Sequence, residues 1–289
     1  MKGSLRLGRI SGITIGLNYT WFIIFALLTL SLATSYFPGR YAGWASQSYW
    51  VVGIITSVLF FVSVLLHELA HSFVALAWGI PVKGITLFIF GGVASIEREP
   101  ERPLAEFLIA VVGPLSSLFL AGFFGVLGLA GQLLGLGPLM ALGVYLGVIN
   151  LSLALFNMIP GFPLDGGRVF RSVIWAVTGN LNRATRWAAR TGRVIAVAMI
   201  VGGGMMILTG NWTNGLWLAF IGWFLDSAAS QSAHQAGVRE ALEGYTAGDF
   251  VSAGCQTVDH NMPIDWVVRD YVLPRGQECF LVTDGQQAE

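Results

Sequence analysis

Charged residues are scarce in this chain of 289 residues. Asp, Glu, Lys and Arg make up only 11% of the positions, hydrophobic residues make up 55%, and the mean hydropathy is +0.69. Soluble globular chains carry a charge at about a quarter of their positions, so this composition excludes that class. The formal net charge is zero, which gives no indication of a nucleic-acid partner. The composition predicts an all-α polytopic membrane protein.

Cysteine and histidine are also rare. The two cysteines, Cys255 and Cys279, are too few for a disulfide framework and are not spaced as a metal site. We interpret them as reduced thiols. Two of the only four histidines lie four positions apart in one apolar segment, and this pair is the first candidate for function.

Long apolar runs are abundant. About 20 residues cross the hydrocarbon core of a bilayer, and the sequence contains six segments of suitable length, near 15–37, 50–79, 105–134, 139–158, 191–209 and 213–231. The first is longer than the apolar region of a signal peptide and lacks a clear cleavage site, so we expect it to remain as a membrane span. The sequence therefore predicts about six transmembrane helices.

The basic residues indicate the orientation. With six spans, 15 of the 16 Lys and Arg residues fall on the side of the two termini, and only Arg40 falls on the other. Because cytoplasmic loops are enriched in Lys and Arg, we expect a multi-pass protein of the plasma or inner membrane with both termini in the cytoplasm.

The histidine pair lies in the sequence HELAH, residues 67–71, inside the second apolar segment. His67 and His71 project from the same face of a helix, where both can reach one zinc ion, and Glu68 lies beside them to act as a base. Ionisable groups at membrane depth are costly and are kept mainly for function. The pattern predicts a metalloprotease with its active site in the bilayer; the alternative is that the histidines only bridge helices.

A third ligand is predicted after the fourth span. That span ends at the cytoplasmic side, as the HELAH helix does, and it is followed by NMIPGFPLDGGR, residues 157–168, in which prolines and glycines break the helix. Asp165 could fold back there toward His67 and His71, and would complete the three protein ligands of a catalytic zinc. Alternatively, Asp165 only caps the helix that follows it.

Substrate contacts are predicted at two further places. Asn157 could hydrogen-bond a substrate peptide or the oxyanion, whereas Asn150, on the same face, is more typical of a hydrogen bond between helices. The segment 84–97 is rich in β-formers around Gly91 and Gly92, which predicts a hairpin near the site. Its edge could bind an unwound substrate segment as an added strand, or the hairpin could be a loop that only packs the site.

These motifs resemble the site-2 protease family of intramembrane zinc metalloproteases (peptidase family M50). HELAH and NMIPGFPLDGGR, in that order, carry the resemblance, together with GGVA at 91–94 and GPLSS at 113–117. The resemblance implies regulated intramembrane proteolysis of membrane-anchored substrates, such as anti-sigma or transcription factors. It assigns one Zn²⁺ per chain to His67, His71 and Asp165, catalysis to Glu68, and substrate binding to Asn157.

The C-terminal part differs from the rest. We predict a protease core at 1–235, a linker at 236–244 and a separate α/β unit at 245–289. The last resembles the first half of a CBS domain, a module that commonly binds adenine nucleotides and would allow a homodimer. The pattern stops after Gly285. Because half a module cannot close its own core, we expect either a truncated chain or a poorly ordered tail.

Two other functions fit parts of the sequence. A transporter or channel gated by a nucleotide module could use the histidines as a transport site, but it would not need Glu68 between two ligands. A pseudoprotease that only binds membrane helices is disfavoured by the intact HELAH motif and Asp165.

Overall fold

The computed structural model of the protein describes residues 4–89, 91–242, 256–275 and 279–283. The chain divides after Gly237 into two compact units. The helix at this point continues to Leu242, so most of the predicted linker, 236–244, is helical.

The first unit is mainly helical. Its helices are, in chain order, α1 (Tyr19–Ser31), α2 (Phe37–Arg40), α3 (Ser46–Ala77), α4 (Pro103–Leu133), α5 (Gly137–Asn157), α6 (Asp165–Thr178), α7 (Leu181–Leu208) and α8 (Trp212–Leu242). A π-helical turn, Leu32–Tyr36, joins α1 to α2.

Five helical segments in the described part of the chain are long and apolar enough to cross a membrane. They are Tyr19–Arg40, Ser46–Ala77, Pro103–Leu133, Gly137–Asn157 and Leu181–Leu208. The sixth predicted segment, 213–231, lies inside α8, where tryptophans, Asn214 and Asp226 lower the hydropathy. The count of six therefore stays a prediction.

The outward faces of these helices are apolar. Phe119, Leu133 and Leu208 are 74%, 78% and 88% exposed. Exposed apolar surface on this scale would cause a water-soluble protein to associate. The pattern is that of helices surrounded by lipid, and the protein is a multi-pass membrane protein.

Four strands form a sheet in the first unit: β1 (Ser4–Ile10), β2 (Ile13–Asn18), β3 (Val82–Phe88) and β4 (Gly91–Ile96), in that order across the sheet. The β3–β4 pair is antiparallel, so the predicted hairpin is present. It is extended by β2, which pairs with β3 in parallel, and by β1, which is antiparallel to β2.

Strand β2 corrects the predicted start of the first span at residue 15. Its apolar residues Ile13, Ile15 and Leu17 occupy every second position and are buried, and this spacing is the period of a strand rather than a helix. The helix begins at Tyr19, where the Asn18 side chain accepts a hydrogen bond from the Thr20 N–H and so caps its first turn.

The sheet packs directly on the helices that carry the site. Ile13, Val82 and Ile85 share a buried apolar cluster with Leu69 of α3 and Ile109 of α4. Burial of such side chains contributes about 1.5–3 kcal/mol each relative to exposure. This cluster holds β3 and β4 against the helical turn that contains HELAH.

The second unit contains a short pair of parallel strands, β5 (Gln256–Asp259) and β6 (Phe280–Thr283), with helical turns between residues 264 and 275. The predicted order of strand, helix and strand is observed in the described residues. The identification as half of a CBS domain stays a prediction, and residues 245–255, 276–278 and 284–289 of this segment lie outside the described part of the chain.

The prediction of reduced thiols is wrong for Cys279, which is disulfide-bonded. Cys279 directly precedes Phe280, which is opposite Gln256 in the β5–β6 register. The other cysteine of the chain directly precedes Gln256 in the sequence. A sequence spacing of 24 residues does not reveal that Gln256 and Phe280 lie opposite each other in adjacent strands.

Candidate metal centre

The two imidazoles come from one face of α3. His67 and His71 are both 4% exposed, and their Nε2 atoms lie 3.2 Å apart. Their spacing of one helical turn produces this pair without any help from the rest of the fold. The pair lies within a candidate membrane span.

Asp165 reaches the imidazoles from a different part of the chain. After α5 ends at Asn157, an irregular segment leads to α6, which begins at Asp165. The Oδ2 atom of Asp165 lies 3.1 Å from His67 Nε2 and 3.2 Å from His71 Nε2. The segment is held by buried Phe162, whose N–H donates to the Ala188 carbonyl of α7. Irregular backbone of this kind requires surrounding protein at membrane depth.

The surroundings of the Asp165 carboxyl act on its pKa in two directions. Its burial raises the pKa, but the contacts with His67 and His71 outweigh burial and hold the pKa well below its usual range. A carboxylate at the first turn of a helix is also favoured by the helix dipole. The Oδ2 atom of Asp165 is directed at the two imidazoles.

Helix α4 holds the outer nitrogens of both rings. His71 Nδ1 lies 2.5 Å from the Ile109 carbonyl, and His67 Nδ1 lies 2.9 Å from Ser117 Oγ. Because a carbonyl only accepts, His71 Nδ1 carries the proton and donates it, which leaves Nε2 with a free lone pair. Contacts of this kind fix the ring orientation and the tautomer of histidines that bind metals.

The donor set fits a zinc ion. The three atoms form a triangle with sides of 3.1, 3.2 and 3.2 Å. Zinc bonds of about 2.0–2.2 Å at tetrahedral angles place neighbouring ligand atoms about 3.3–3.6 Å apart, slightly more than the separations in this triangle. A carboxylate oxygen and an unprotonated Nε2 at such distances repel each other unless a cation or a proton lies between them. Among the described residues, only His67, His71 and Asp165 form such a group.

Glu68 lies next to this triangle but outside it. It neighbours His67 on α3, and its side chain packs against Gly92 of β4: a Cβ atom at position 92 would lie 2.5 Å from Glu68 Cγ. The charges of His71 and Asp165 act on its carboxyl group. The structure thus separates three potential ligands from one adjacent carboxylate.

The predicted substrate residues lie on β4 and α5. Gly91 and Gly92 begin β4, and Gly91 has a φ of +127°, which only glycine adopts readily. Asn157 is the last residue of α5 and is half-buried. Asn150 is buried and donates to Ser63 Oγ of α3 at 3.3 Å and to the Leu146 carbonyl at 2.8 Å, which supports a structural role.

Several residues of the site are not among those predicted from the sequence. Ile109, Gly113 and Ser117 all face the imidazoles from α4, and Glu106 on the same helix forms a buried ion pair with Arg171 of α6. The sequence alone could have indicated Glu106, because an acidic residue inside an apolar segment is unusual. Ile109 acts through its backbone, so its side chain gives no signal.

Comparison with known proteins identifies the family of this chain. The model of peptidase family M50 matches residues 55–135 and 125–199. Relatives include sll0528 from Synechocystis sp. (41% identity; 94% of this chain and 71% of the relative) and Rip3 from Mycobacterium tuberculosis (37%; 98% and 72%). Both carry provisional names as zinc metalloproteases. Zinc metalloprotease MJ0392 from Methanocaldococcus jannaschii is 32% identical over 92% of this chain and 71% of its own length.

A solved structure is similar as well. The site-2 protease from Methanocaldococcus jannaschii superposes with a TM-score of 0.53 and 28% sequence identity, over 80% of this chain and 95% of that one. The family match spans HELAH and Asp165, the residues that form the triangle. The chain therefore belongs to peptidase family M50 and is a metalloendopeptidase of the site-2 protease type.

Proposed function

We propose that the protein is an intramembrane endopeptidase that cleaves transmembrane segments of membrane-anchored proteins, with one zinc ion held by His67, His71 and Asp165. The observation that carries this proposal is the triangle of ligand atoms, two of which belong to histidines in a candidate membrane span, with sides of 3.1–3.2 Å. The burial of both histidines supports it, since such groups are otherwise costly at that depth.

Zinc at this position supplies Lewis-acid activation of water and of the scissile carbonyl. Glu68 takes a proton from the attacking water and later donates it to the leaving amine. Its place beside the ligands, but outside the triangle, suits this role. Ile109 and Ser117 hold the imidazoles in a fixed orientation during the reaction.

Strand β4 presents the substrate in this proposal. It lies at one edge of the described sheet, so one side of its backbone is available for strand addition. The face of β4 at Gly92 packs against Glu68. A transmembrane helix must be unwound before hydrolysis, because its carbonyls are already hydrogen-bonded, and pairing with β4 would hold it extended. Asn157 would hydrogen-bond the substrate peptide.

The Gly92→Ala variant tests the contact between β4 and the base. Its Cβ would lie 2.5 Å from Glu68 Cγ and 3.2 Å from Leu87 Cδ2, so the carboxylate must move. Misplacement by about 1 Å can cost about 10²-fold in rate, and we expect cleavage to fall by that order while zinc content is unchanged. The matched control is Gly8→Ala in β1, where a Cβ meets nothing within 4 Å. Equal cleavage rates in both variants would contradict the proposed contact.

The wider assignments extend the proposal. We place the protein in the plasma or inner membrane with both termini in the cytoplasm, and assign anti-sigma or transcription factors as its substrates. Adenine-nucleotide binding and dimerisation through a CBS module also stay predictions. Calorimetry with ATP and AMP would test nucleotide binding, and absence of binding would remove this prediction.

The function is tested in proteoliposomes that contain the purified protein and a model single-span substrate. We expect about one zinc per chain by metal analysis, peptide products from inside the span, loss of cleavage with a chelator, and recovery when zinc is returned. Flux of a solute or metal ion without any peptide product would overturn the proposal in favour of a transporter.

A further inference from the structure

A buried ion pair joins α4 to α6 near the metal centre. Glu106 is 0% and Arg171 is 8% exposed. Arg171 Nε donates to Glu106 Oε1 at 2.6 Å, and Nη2 of the same guanidinium contacts the same oxygen. Buried ion pairs are weak sources of stability, because desolvation offsets their attraction. Stability alone is therefore a poor explanation for this pair.

The pair lies on the same face of α4 as the groups that hold the imidazoles. Glu106, Ile109, Gly113 and Ser117 are spaced by three, four and four residues, which places them in one stripe along the helix. The Ile109 carbonyl accepts a hydrogen bond from His71 Nδ1, and Ser117 Oγ is hydrogen-bonded to His67 Nδ1. A Cβ at Gly113 would lie 2.8 Å from His67 Nε2. One stripe of α4 thus contacts α3 through the imidazoles and α6 through Glu106.

Arg171 also contacts the chain that precedes Asp165. Its guanidinium lies over the Phe162 ring, 5.2 Å from the centroid, a distance at which a cation and a ring attract each other. The same side chain therefore binds α6, six residues after Asp165, and the irregular segment three residues before it. The neighbouring charges are Arg168, 4.0 Å from Glu106 Oε1, and the exposed Glu99, 3.8 Å from Arg171.

We infer that Glu106 and Arg171 are a positioning pair, which fixes α6 on α4 so that Asp165 Oδ2 meets the two imidazoles. The inference rests on the proposed ligand role of Asp165. His67 and His71 are placed by a single helix, whereas Asp165 arrives from a distant segment and depends on how α6 docks. The planar guanidinium gives that docking a direction that apolar packing lacks.

The test replaces Arg171 by methionine and follows the affinity for Co²⁺ together with its visible absorption spectrum, which reports the ligand set. We expect Arg171→Met to bind Co²⁺ about 10- to 100-fold more weakly than the parent, the range for loss of a residue that supports a metal ligand. Its spectrum should shift toward that of Asp165→Asn. The matched control is Arg193→Met, which removes an arginine paired with Asp226 at 3.3 Å. This variant should leave the Co²⁺ affinity and the spectrum unchanged.

A double variant separates positioning from stability. Glu106→Met/Arg171→Met removes both charges and keeps apolar volume, so it should unfold no more readily than the parent. We still expect weakened Co²⁺ binding and the shifted spectrum. Parental affinity and spectrum in the double variant would overturn the inference, because the pair would then matter only as balanced charge.

The Asp165→Asn variant distinguishes a failure of this inference from a failure of the proposed function. If Asp165→Asn weakens Co²⁺ binding but the double variant does not, the inference fails and the ligand set stands. If Asp165→Asn binds as the parent does, the proposed ligand set fails, and the inference fails with it.

Discussion

The Glu68→Gln variant is expected to lose cleavage activity by about 10²- to 10⁴-fold, the usual contribution of a general base, while it retains one zinc ion per chain. Glutamine has nearly the shape of glutamate but cannot take a proton from water. Because Glu68 lies outside the triangle formed by His67, His71 and Asp165, its replacement removes no ligand. The loss should therefore fall on the chemical step rather than on metal binding.

The measurement combines metal analysis with the cleavage rate of a single-span substrate. Glu101→Gln is the matched control, because it makes the same change at an exposed carboxylate before α4, and it should cleave at the parental rate. Retained activity in Glu68→Gln would exclude Glu68 as the base. Loss of zinc together with activity would instead assign it a part in metal binding.

The part of the site that the sequence could predict is the part set by local periodicity or by chain direction. His67 and His71 are one helical turn apart, so their meeting needs only a helix. The order of the spans places Asp165 on the same side of the membrane, and the structure brings it to 3.1 Å from His67. The β-rich composition around Gly91 and Gly92 likewise predicts the hairpin, since its two strands are adjacent in sequence.

The features that sequence could not give depend on pairing between distant segments. Residues Thr14–Leu17 pair with Gly84–Leu87 in parallel, and a short strand next to an apolar helix is easily taken as the start of that helix. The contacts from α4 to the imidazoles depend on which stripe of α4 faces α3. Apart from Glu106 and Ser117, this stripe is not distinguished by polarity, because lipid and protein interior are similarly apolar.

The second large effect is expected at Gly113, which lies on the stripe of α4 against the imidazoles. A Cβ there would overlap His71 Nε2 and lie 2.8 Å from His67 Nε2, in the space next to both ligand atoms. We expect Gly113→Ala to weaken zinc binding by at least about 100-fold, the upper range for disturbed support of a ligand. Cleavage should be lost in parallel, unlike in Glu68→Gln, where zinc remains.

The control for this prediction lies on the same helix. Gly122 is exposed on α4, and a Cβ there meets nothing within 4 Å, so Gly122→Ala should keep zinc and activity. Alanine favours a helix over glycine by about 1 kcal/mol, so helix propensity cannot explain a loss in one variant alone. The prediction is checked by measuring the zinc affinity of both variants in competition with a chromophoric chelator. Parental affinity in Gly113→Ala would mean that the imidazoles do not bind metal in the observed arrangement, because no zinc site with those two Nε2 atoms leaves room for the added methyl group.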